Sequence, residues 1–163
     1  MIQVDVRPTT ADIRNAKWAW YFRSRFGLGA TALLVILLLI TTLQVIHGDM
    51  QAAKPSFGVI AFLLLLPIFI GFAGLKSPAV RRFTEGPVTY SFGDDGLNVR
   101  TQRAHADFRW SEIARAIETK RLFVLVAGGA LQVLPMRDIT PESQAAIRQL
   151  LRERLVGKAK LAA

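Results

Sequence analysis

His105 and Asp107 are the residues whose types and spacing come closest to an acid–base site. They lie two positions apart in an alternating segment, so a β-strand would place both side chains on one face as a hydrogen-bonded pair. No serine or cysteine nucleophile is tied to them by a motif, and an exposed polar strand face explains the pattern equally well. A membrane enzyme that uses this pair is one hypothesis, but we expect no catalytic residue and no enzyme activity.

Other chemistry-bearing patterns also have simpler explanations. Asp94 and Asp95 could bind a cation, but Asp-Asp-Gly between two alternating segments is typical of a turn. The phosphate-loop, dinucleotide-binding and HExxH motifs are absent, and the chain contains no cysteine. We therefore expect no metal site and no cofactor. The net charge is +9, but the cations are spread over many elements without a nucleic-acid-binding signature, so no nucleic-acid partner is expected.

Two apolar runs, 26–46 and 57–75, dominate the chain, and neither contains Asp, Glu, Lys or Arg. At about 1.5 Å per helical residue each run covers roughly 28–32 Å, which matches the hydrocarbon core of a bilayer. The sequence therefore predicts a transmembrane hairpin over 26–75 with an outer loop at 47–56. Two alternatives stay open: a pair of buried helices in a soluble bundle, and a signal peptide, since Gln51-Ala52-Ala53 follows the first run.

Basic residues flank these runs, whereas the loop between them carries only Asp49 and Lys54 as charged residues. The positive-inside rule then predicts that both termini are cytoplasmic. Thr9-Thr10-Ala11-Asp12 has the form of a capping box, which predicts a helix start. Residues 9–25 are predicted to form an amphipathic helix at the membrane interface, with packing of its aromatic residues on the soluble domain as the alternative. The predicted membrane-interface anchors are Lys17, Trp18, Trp20, Tyr21, Arg23, Arg25, Lys76, Arg81 and Arg82.

The remaining residues predict a small soluble α+β domain. Residues 1–8 are predicted to form its first strand. From Pro87 onward, alternating apolar residues and one continuous apolar run at 122–127 predict six further strands. An apolar stripe predicts a helix over 141–156 that caps the sheet, followed by a flexible tail at 158–163. About seven strands of bent antiparallel sheet with one capping helix is a pleckstrin-homology-like (PH-like) arrangement, here over 87–157. The transmembrane hairpin would be inserted between the first strand and the other six.

Several phrases resemble the YcxB-like family of bacterial membrane proteins. They are YSFGDDGL at 90–97, WSEI at 110–113, ET at 118–119 and LPMRDIT at 134–140. The resemblance implies a two-span inner-membrane protein with a PH-like cytoplasmic domain, and its motifs are patterns of fold and turn. Family members usually carry Pro-Lys-Arg where this chain has Pro135-Met136-Arg137.

The sequence contains membrane-spanning and turn patterns, and it lacks catalytic motifs. It therefore predicts a membrane-anchored binding module that acts as a scaffold or regulator. The alternative is an accessory subunit of a larger membrane complex that packs through its hairpin. The expected partners are the lipid bilayer with its anionic headgroups, and a membrane-protein partner or a second copy of the chain. The candidate partner or lipid contacts are Pro67, Gly71, Gly74, Arg148, Arg152 and Arg154.

Overall fold

A computed structural model describes residues 2–161, without the side chains of Arg82 and Lys160. The chain divides into two compact units. One unit contains the described residues up to 16 and from 74 onward, and the other contains residues 17–73. The first unit is therefore discontinuous in sequence, with the second inserted into it.

Two sheets form the discontinuous unit. The first is antiparallel in the order β1-β2-β3-β4, from strands Ile2–Val6, Val88–Phe92, Gly96–Arg100 and His105–Arg109. The second has the antiparallel strands β5 (Ile113–Glu118), β6 (Leu122–Ala127) and β7 (Ala130–Pro135), and a two-residue parallel strand β8 (Ala159–Lys160) beside β5. The seven predicted strands are confirmed, and β8 is an addition.

The N-terminal strand completes the first sheet. Val4 lies opposite Tyr90 and Val6 opposite Val88 in the antiparallel register of β1 and β2. Both valines are buried because every second residue of β1 faces the core. The predicted pairing of the first strand with the strands after Pro87 is confirmed, so more than 80 intervening residues separate two neighbouring strands.

One hydrophobic core joins both sheets to the C-terminal helix α5 (Pro141–Arg154). Ile147, Leu151 and Leu155 are fully buried in it, which confirms the apolar stripe predicted for this helix. Tyr90 lies at the centre, where its hydroxyl donates a hydrogen bond of 3.3 Å to the carbonyl of Val133 in the opposite sheet. Burial raises the pKa of this phenol, so Tyr90 acts here as a packed, neutral core residue.

Four further helices lie between β1 and β2: α1 (Thr10–Arg23), α2 (Arg25–Ile46), α3 (Met50–Phe72) and α4 (Pro78–Thr84). The start of α1 has the predicted capping box, because Thr9 and Asp12 exchange hydrogen bonds between side chain and backbone amide. Ser24 ends α1 and caps α2, accepting a hydrogen bond from the amide of Gly27 at 2.9 Å. The interfacial helix was predicted over 9–25 as amphipathic, but apolar and polar residues are distributed around all sides of α1.

The predicted outer loop at 47–56 is wrong in length. Asp49 caps α3 by accepting from the amide of Ala52, so only a three-residue turn with Gly48 at φ +79° separates α2 from α3. Pro55 therefore lies inside the helix rather than before it. At the other end α3 stops at Phe72 rather than Leu75, and Gly74 adopts the left-handed conformation that follows a helix end.

Three smaller features differ from prediction. Helix α4 was not predicted, and it begins where Ser77 accepts from the amide of Val80, with Pro78 at its first position. The last helix ends at Arg154 rather than residue 156. The tail predicted to be flexible contains β8, while its last two residues lie outside the described part of the chain.

Candidate functional site

Helices α2 and α3 are long and apolar enough to cross a membrane. Their most apolar stretches have mean hydropathies of 2.4 and 2.3, and only 11% and 17% of those stretches is buried. A helix in the core of a soluble protein would be mostly buried, so the alternative of a soluble bundle does not fit this structure. Large apolar side chains are exposed along both helices, including Leu33, Ile36, Leu39, Leu43, Phe57, Phe62, Leu65 and Phe69.

Trp18 and Lys17 of α1 contact the C-terminal half of α3 within the inserted unit. The indole nitrogen of Trp18 donates a 3.0 Å hydrogen bond to the carbonyl of Pro67, and a Cβ atom on Gly71 would overlap the indole ring. The Lys17 ammonium donates to the carbonyl of Ala73, where the negative end of the α3 dipole favours a cation. Two predicted partner contacts, Pro67 and Gly71, therefore bind Trp18 of the same chain. The third, Gly74, has open space around it.

The other predicted interface anchors differ in their surroundings. Tyr21 is 2% exposed and packs edge-on against the rings of Phe22 and Phe26, so it is an internal residue and not an exposed aromatic anchor. Trp20 and Arg23 are partly buried. The exposed cations among the predicted anchors are Arg25, Lys76 and Arg81, of which Arg81 lies 3.8 Å from Glu85. The side chain of Arg82 lies outside the described part.

The basic side of α5 is largely neutralised within the chain. Arg148 donates a 2.8 Å hydrogen bond to Glu118, whose side chain is only 4% exposed, and its guanidinium lies 5.6 Å from the centre of the Phe123 ring. Arg154 bonds to Asp94 at 2.9 Å across an exposed surface. Of the three predicted lipid contacts, Arg148 therefore has a structural role, while Arg152 and Arg154 remain at the surface.

The outer face of the first sheet is polar and forms a groove of about 630 Å³. The amide nitrogen of Asn98 contacts Nε2 of His105 at 2.6 Å and also donates to Asp107, and His105 lies 3.4 Å from Asp107. The predicted His105–Asp107 pair is therefore present on an exposed face, with Asn98 between its members. Across residues 2–161 no cluster of three or more His, Asp and Glu side chains could hold a metal ion.

A charged network that the sequence did not predict ties the N-terminal segment to the end of β7. Arg137 donates to both carboxylate oxygens of Asp12, at 3.0 and 2.8 Å, and to the carbonyl of Arg7 at 2.9 Å. Asp138 accepts from the amide of Arg7 at 2.9 Å. The capping-box signal identified Asp12, but no sequence signal pairs it with a residue 125 positions away.

Asp12 is ionised in this network. Burial alone would raise the pKa of its carboxyl, but the hydrogen bonds from Arg137 and Thr9 outweigh burial and hold the pKa below its usual value. The same hydrogen bond to Asp12 raises the pKa of Arg137, which is charged in any case. The network is thus a bidentate ion pair with a structural role.

The protein is therefore an α+β protein in which two membrane-compatible helices are inserted, in sequence, into a two-sheet unit. Residues 92–151 match the model of the YcxB-like protein family, which runs from the end of β2 into α5. This is the family that the sequence resembles, so the recognition is confirmed for that segment. No curated protein matches the chain. No solved structure matches it.

Proposed function

We propose that this chain is a membrane-anchored, non-catalytic binding module of the bacterial inner membrane, acting as a scaffold or regulator. The observation that carries the proposal is the pair of helices α2 and α3, which expose apolar side chains along their length and are joined by a three-residue turn. A bilayer would remove that apolar surface from water, while the mixed polar surface of the two-sheet unit suits an aqueous phase.

The proposed topology places both termini in the cytoplasm. Arg25 is the first residue of α2, Lys76 and Arg81 follow α3 in the sequence, and all three are exposed, whereas the turn between α2 and α3 carries only Asp49 as a charged residue. Positive residues are retained on the cytoplasmic side, and each adds about 1 kcal/mol of attraction to anionic headgroups. Lys17 supports this orientation because its hydrogen bond to Ala73 lies at the same end of α3.

The soluble unit is proposed to be PH-like. Four antiparallel strands, three further antiparallel strands and one C-terminal helix around a shared core support this assignment. Asp12, Tyr90 and Arg137 each have a packing or hydrogen-bonding partner inside the fold, so their roles in it are structural.

Membrane extraction tests the anchor. Membranes containing the full chain are washed with alkaline carbonate, which removes peripheral proteins, and then solubilised with a mild detergent. We expect the chain to stay in the carbonate pellet at its full mass of 18.0 kDa. Release by carbonate, or a shorter product cut near Ala53, would contradict a two-span anchor. A variant with aspartate at three exposed positions of α2, namely Leu33, Leu39 and Leu43, should lose the pellet fraction.

The lipid contribution is tested with the full chain reconstituted in nanodiscs that contain neutral lipids or a mixture with anionic phosphatidylglycerol. Four single variants each carry a crosslinking residue in place of Arg25, Lys76, Arg152 or Arg154. The yield of crosslinks to lipid headgroups is compared among them. We expect anionic lipid near Arg25 and Lys76, because these cations flank the apolar helices directly. Equal crosslinking from all four positions would favour the basic side of α5 as a second lipid surface.

A further inference from the structure

The outer face of the first sheet carries two rows of polar side chains. The antiparallel registers of β1 to β4 form one row from Gln3, Ser91, Asn98 and Asp107. The second row contains Asp5, Thr89, Arg100 and His105. Members of a row are neighbours on one face, because the side chains of a strand alternate between its two faces. Most of these residues line the groove of about 630 Å³ on this face.

The groove has a size that suits a small molecule. Binding sites for small ligands have volumes of about 300–1,000 Å³. Short side chains at Thr89 and Ser91 line its middle, and the turn at 93–96 lines one end. A Cβ atom added to Gly93 would meet no atom within 4 Å, so this end has room for a ligand. All the lining residues belong to the discontinuous unit.

Ser91 presents an unused hydroxyl to this groove. The residue is only 9% exposed, and its neighbours Tyr90 and Phe92 face the hydrophobic core, so the serine side chain faces the groove. Within residues 2–161 its hydroxyl has no hydrogen-bond partner. The carboxamide of Gln3, which lies opposite on β1, also has none in this part of the chain. Because buried polar groups are usually hydrogen-bonded, we expect a bound molecule to pair with both side chains.

Arg100 supplies an unpaired positive charge beside these groups. It is exposed, it lines the groove, and its side chain forms no ion pair or hydrogen bond with any described residue. Arg100 lies opposite Thr89 on β2, which makes it the diagonal neighbour of Ser91, about 7–8 Å away. The long arginine side chain can therefore reach an anionic group of a ligand that also contacts Ser91.

The other charges of the groove limit its ligand to one negative charge. The lining contains a second cation, Arg109, and the carboxylates of Asp94, Asp95 and Asp107. Asp94 forms an ion pair with an arginine of α5, which leaves two carboxylates beside two arginines. Asp95 and Asp107 would repel a ligand with several negative charges, whereas a single anionic group is complementary to Arg100.

We propose that this groove binds a small polyhydroxylated molecule with a single anionic group. Arg100 holds that group, because a guanidinium donates parallel hydrogen bonds to a carboxylate or a phosphodiester. Gln3, Ser91 and Asp107 bind the hydroxyls, since a hydroxyl both donates and accepts and so matches a mixed set of donors and acceptors. A sugar acid and the glycerol phosphodiester headgroup of a phospholipid share this chemistry. The inference rests on the proposed binding function and names the ligand class of the module.

Titration of the full chain in nanodiscs of neutral phosphatidylcholine tests the ligand class. The probe is gluconate, with sorbitol as a control that lacks the charge and acetate as a control that lacks the hydroxyls. We expect saturable shifts of the Ser91 and Arg100 amide signals at about millimolar gluconate, and roughly tenfold weaker binding of each control. The absence of shifts with gluconate, or equal binding of gluconate and acetate, would overturn the proposal.

Matched variants test the positions of the contacts. Arg100→Gln should weaken gluconate binding roughly tenfold and Ser91→Ala roughly threefold, because each removes a hydrogen-bond donor to the ligand. Arg103→Gln is the control, since it removes the same charge from a residue that lines a different cavity beside α4, and it should change the affinity less than about twofold. The urea midpoint of each variant is measured alongside to confirm that it folds. Equal losses in the Arg100 and Arg103 variants would indicate attraction by net charge alone and overturn the proposal.

Lipid composition identifies the source of the ligand. The gluconate titration is repeated in nanodiscs with equal fractions of phosphatidylglycerol or phosphatidylserine, which carry the same net charge but differ in the headgroup diol. Weaker gluconate binding with phosphatidylglycerol indicates that the lipid headgroup occupies the groove, and equal binding with both lipids indicates a soluble ligand. Retention of the same chain in the carbonate pellet is measured in parallel. A chain that stays in the membrane but binds no gluconate loses the groove site and keeps the proposed anchor.

Discussion

Arg137 forms a bidentate ion pair with Asp12 across 125 residues of sequence. The pair connects the start of α1 to the end of β7, and a third hydrogen bond from Arg137 reaches the carbonyl of Arg7. All of these residues belong to the discontinuous unit. The N-terminal segment is therefore fixed to this unit twice, by pairing of β1 with β2 and by the ion pair.

The first prediction concerns the strength of this ion pair. Asp12→Asn should lower the free energy of unfolding of the two-sheet unit by about 1–2 kcal/mol, since the carboxylate is 9% exposed but its partner is half exposed and screened. Unfolding by urea is measured in mild detergent. The fluorescence of Trp110 monitors it, in a chain in which Trp18 and Trp20 are replaced by Phe. A double-mutant cycle with Arg137→Gln should show coupling between the two sites, and strictly additive effects would contradict a direct pair.

The second prediction is a pH dependence. The folded-state pKa of Asp12 lies below its ordinary value, so the pair stabilises the fold fully above the unfolded-state pKa of about 3.9 and loses that contribution as the pH falls through the lower folded value. The stability difference between the wild type and Asp12→Asn should stay constant from pH 7 to about pH 5 and shrink in more acidic solution. A difference that grew toward acid pH would contradict the assigned direction.

The third prediction concerns β1. Deletion of residues 1–8 should lower the melting temperature of the two-sheet unit, because the buried Val4 and Val6 and the ladder to β2 are lost together. The matched point variants are Val6→Ala, expected to cost about 1–3 kcal/mol, and Gln3→Ala on the exposed face of the same strand, expected to cost less than about 0.5 kcal/mol. An unchanged melting temperature after the deletion would refute the structural role of β1.

The fourth prediction concerns the contact of Trp18 with α3. Gly71→Ala places a methyl group where the indole lies, so it should displace Trp18 and break its hydrogen bond to Pro67. Gly58→Ala in the same helix is the control, because its added methyl group meets no atom within 4 Å. With Trp20 and Trp110 replaced by Phe, the emission of Trp18 should shift in the Gly71 variant alone. Identical emission spectra of the two variants would contradict the contact.

Local patterns in the sequence predicted most of the fold because they follow from backbone periodicity. Alternation predicted most of the strands, a continuous apolar run predicted β6, and the Thr9–Asp12 spacing predicted the start of α1. The start of α3 lies earlier than the apolar run predicts, because the Asp49 cap and not the first apolar residue determines where the helix begins. Helix α4 is a single short element without an apolar repeat long enough to reveal it.

Side-chain partners that are distant in sequence were not predictable from local patterns. Glu118 alternates with apolar neighbours and is indistinguishable from an exposed strand residue, yet Arg148 buries it against α5. Gly71 was predicted to contact a partner, but whether a small residue contacts another protein or the same chain depends on tertiary packing. The polar groove on the first sheet likewise results from strand register and not from a motif.

The insertion of a two-span anchor into a cytoplasmic unit is the central claim, and single-cysteine labelling tests it most directly. The natural chain has no cysteine, so Gly48→Cys, Gln3→Cys and Arg103→Cys each provide one thiol. In intact spheroplasts a membrane-impermeant maleimide should label Gly48→Cys alone, and after lysis it should label all three. Labelling of Gln3→Cys or Arg103→Cys without lysis, or protection of Gly48→Cys, would contradict the proposed topology.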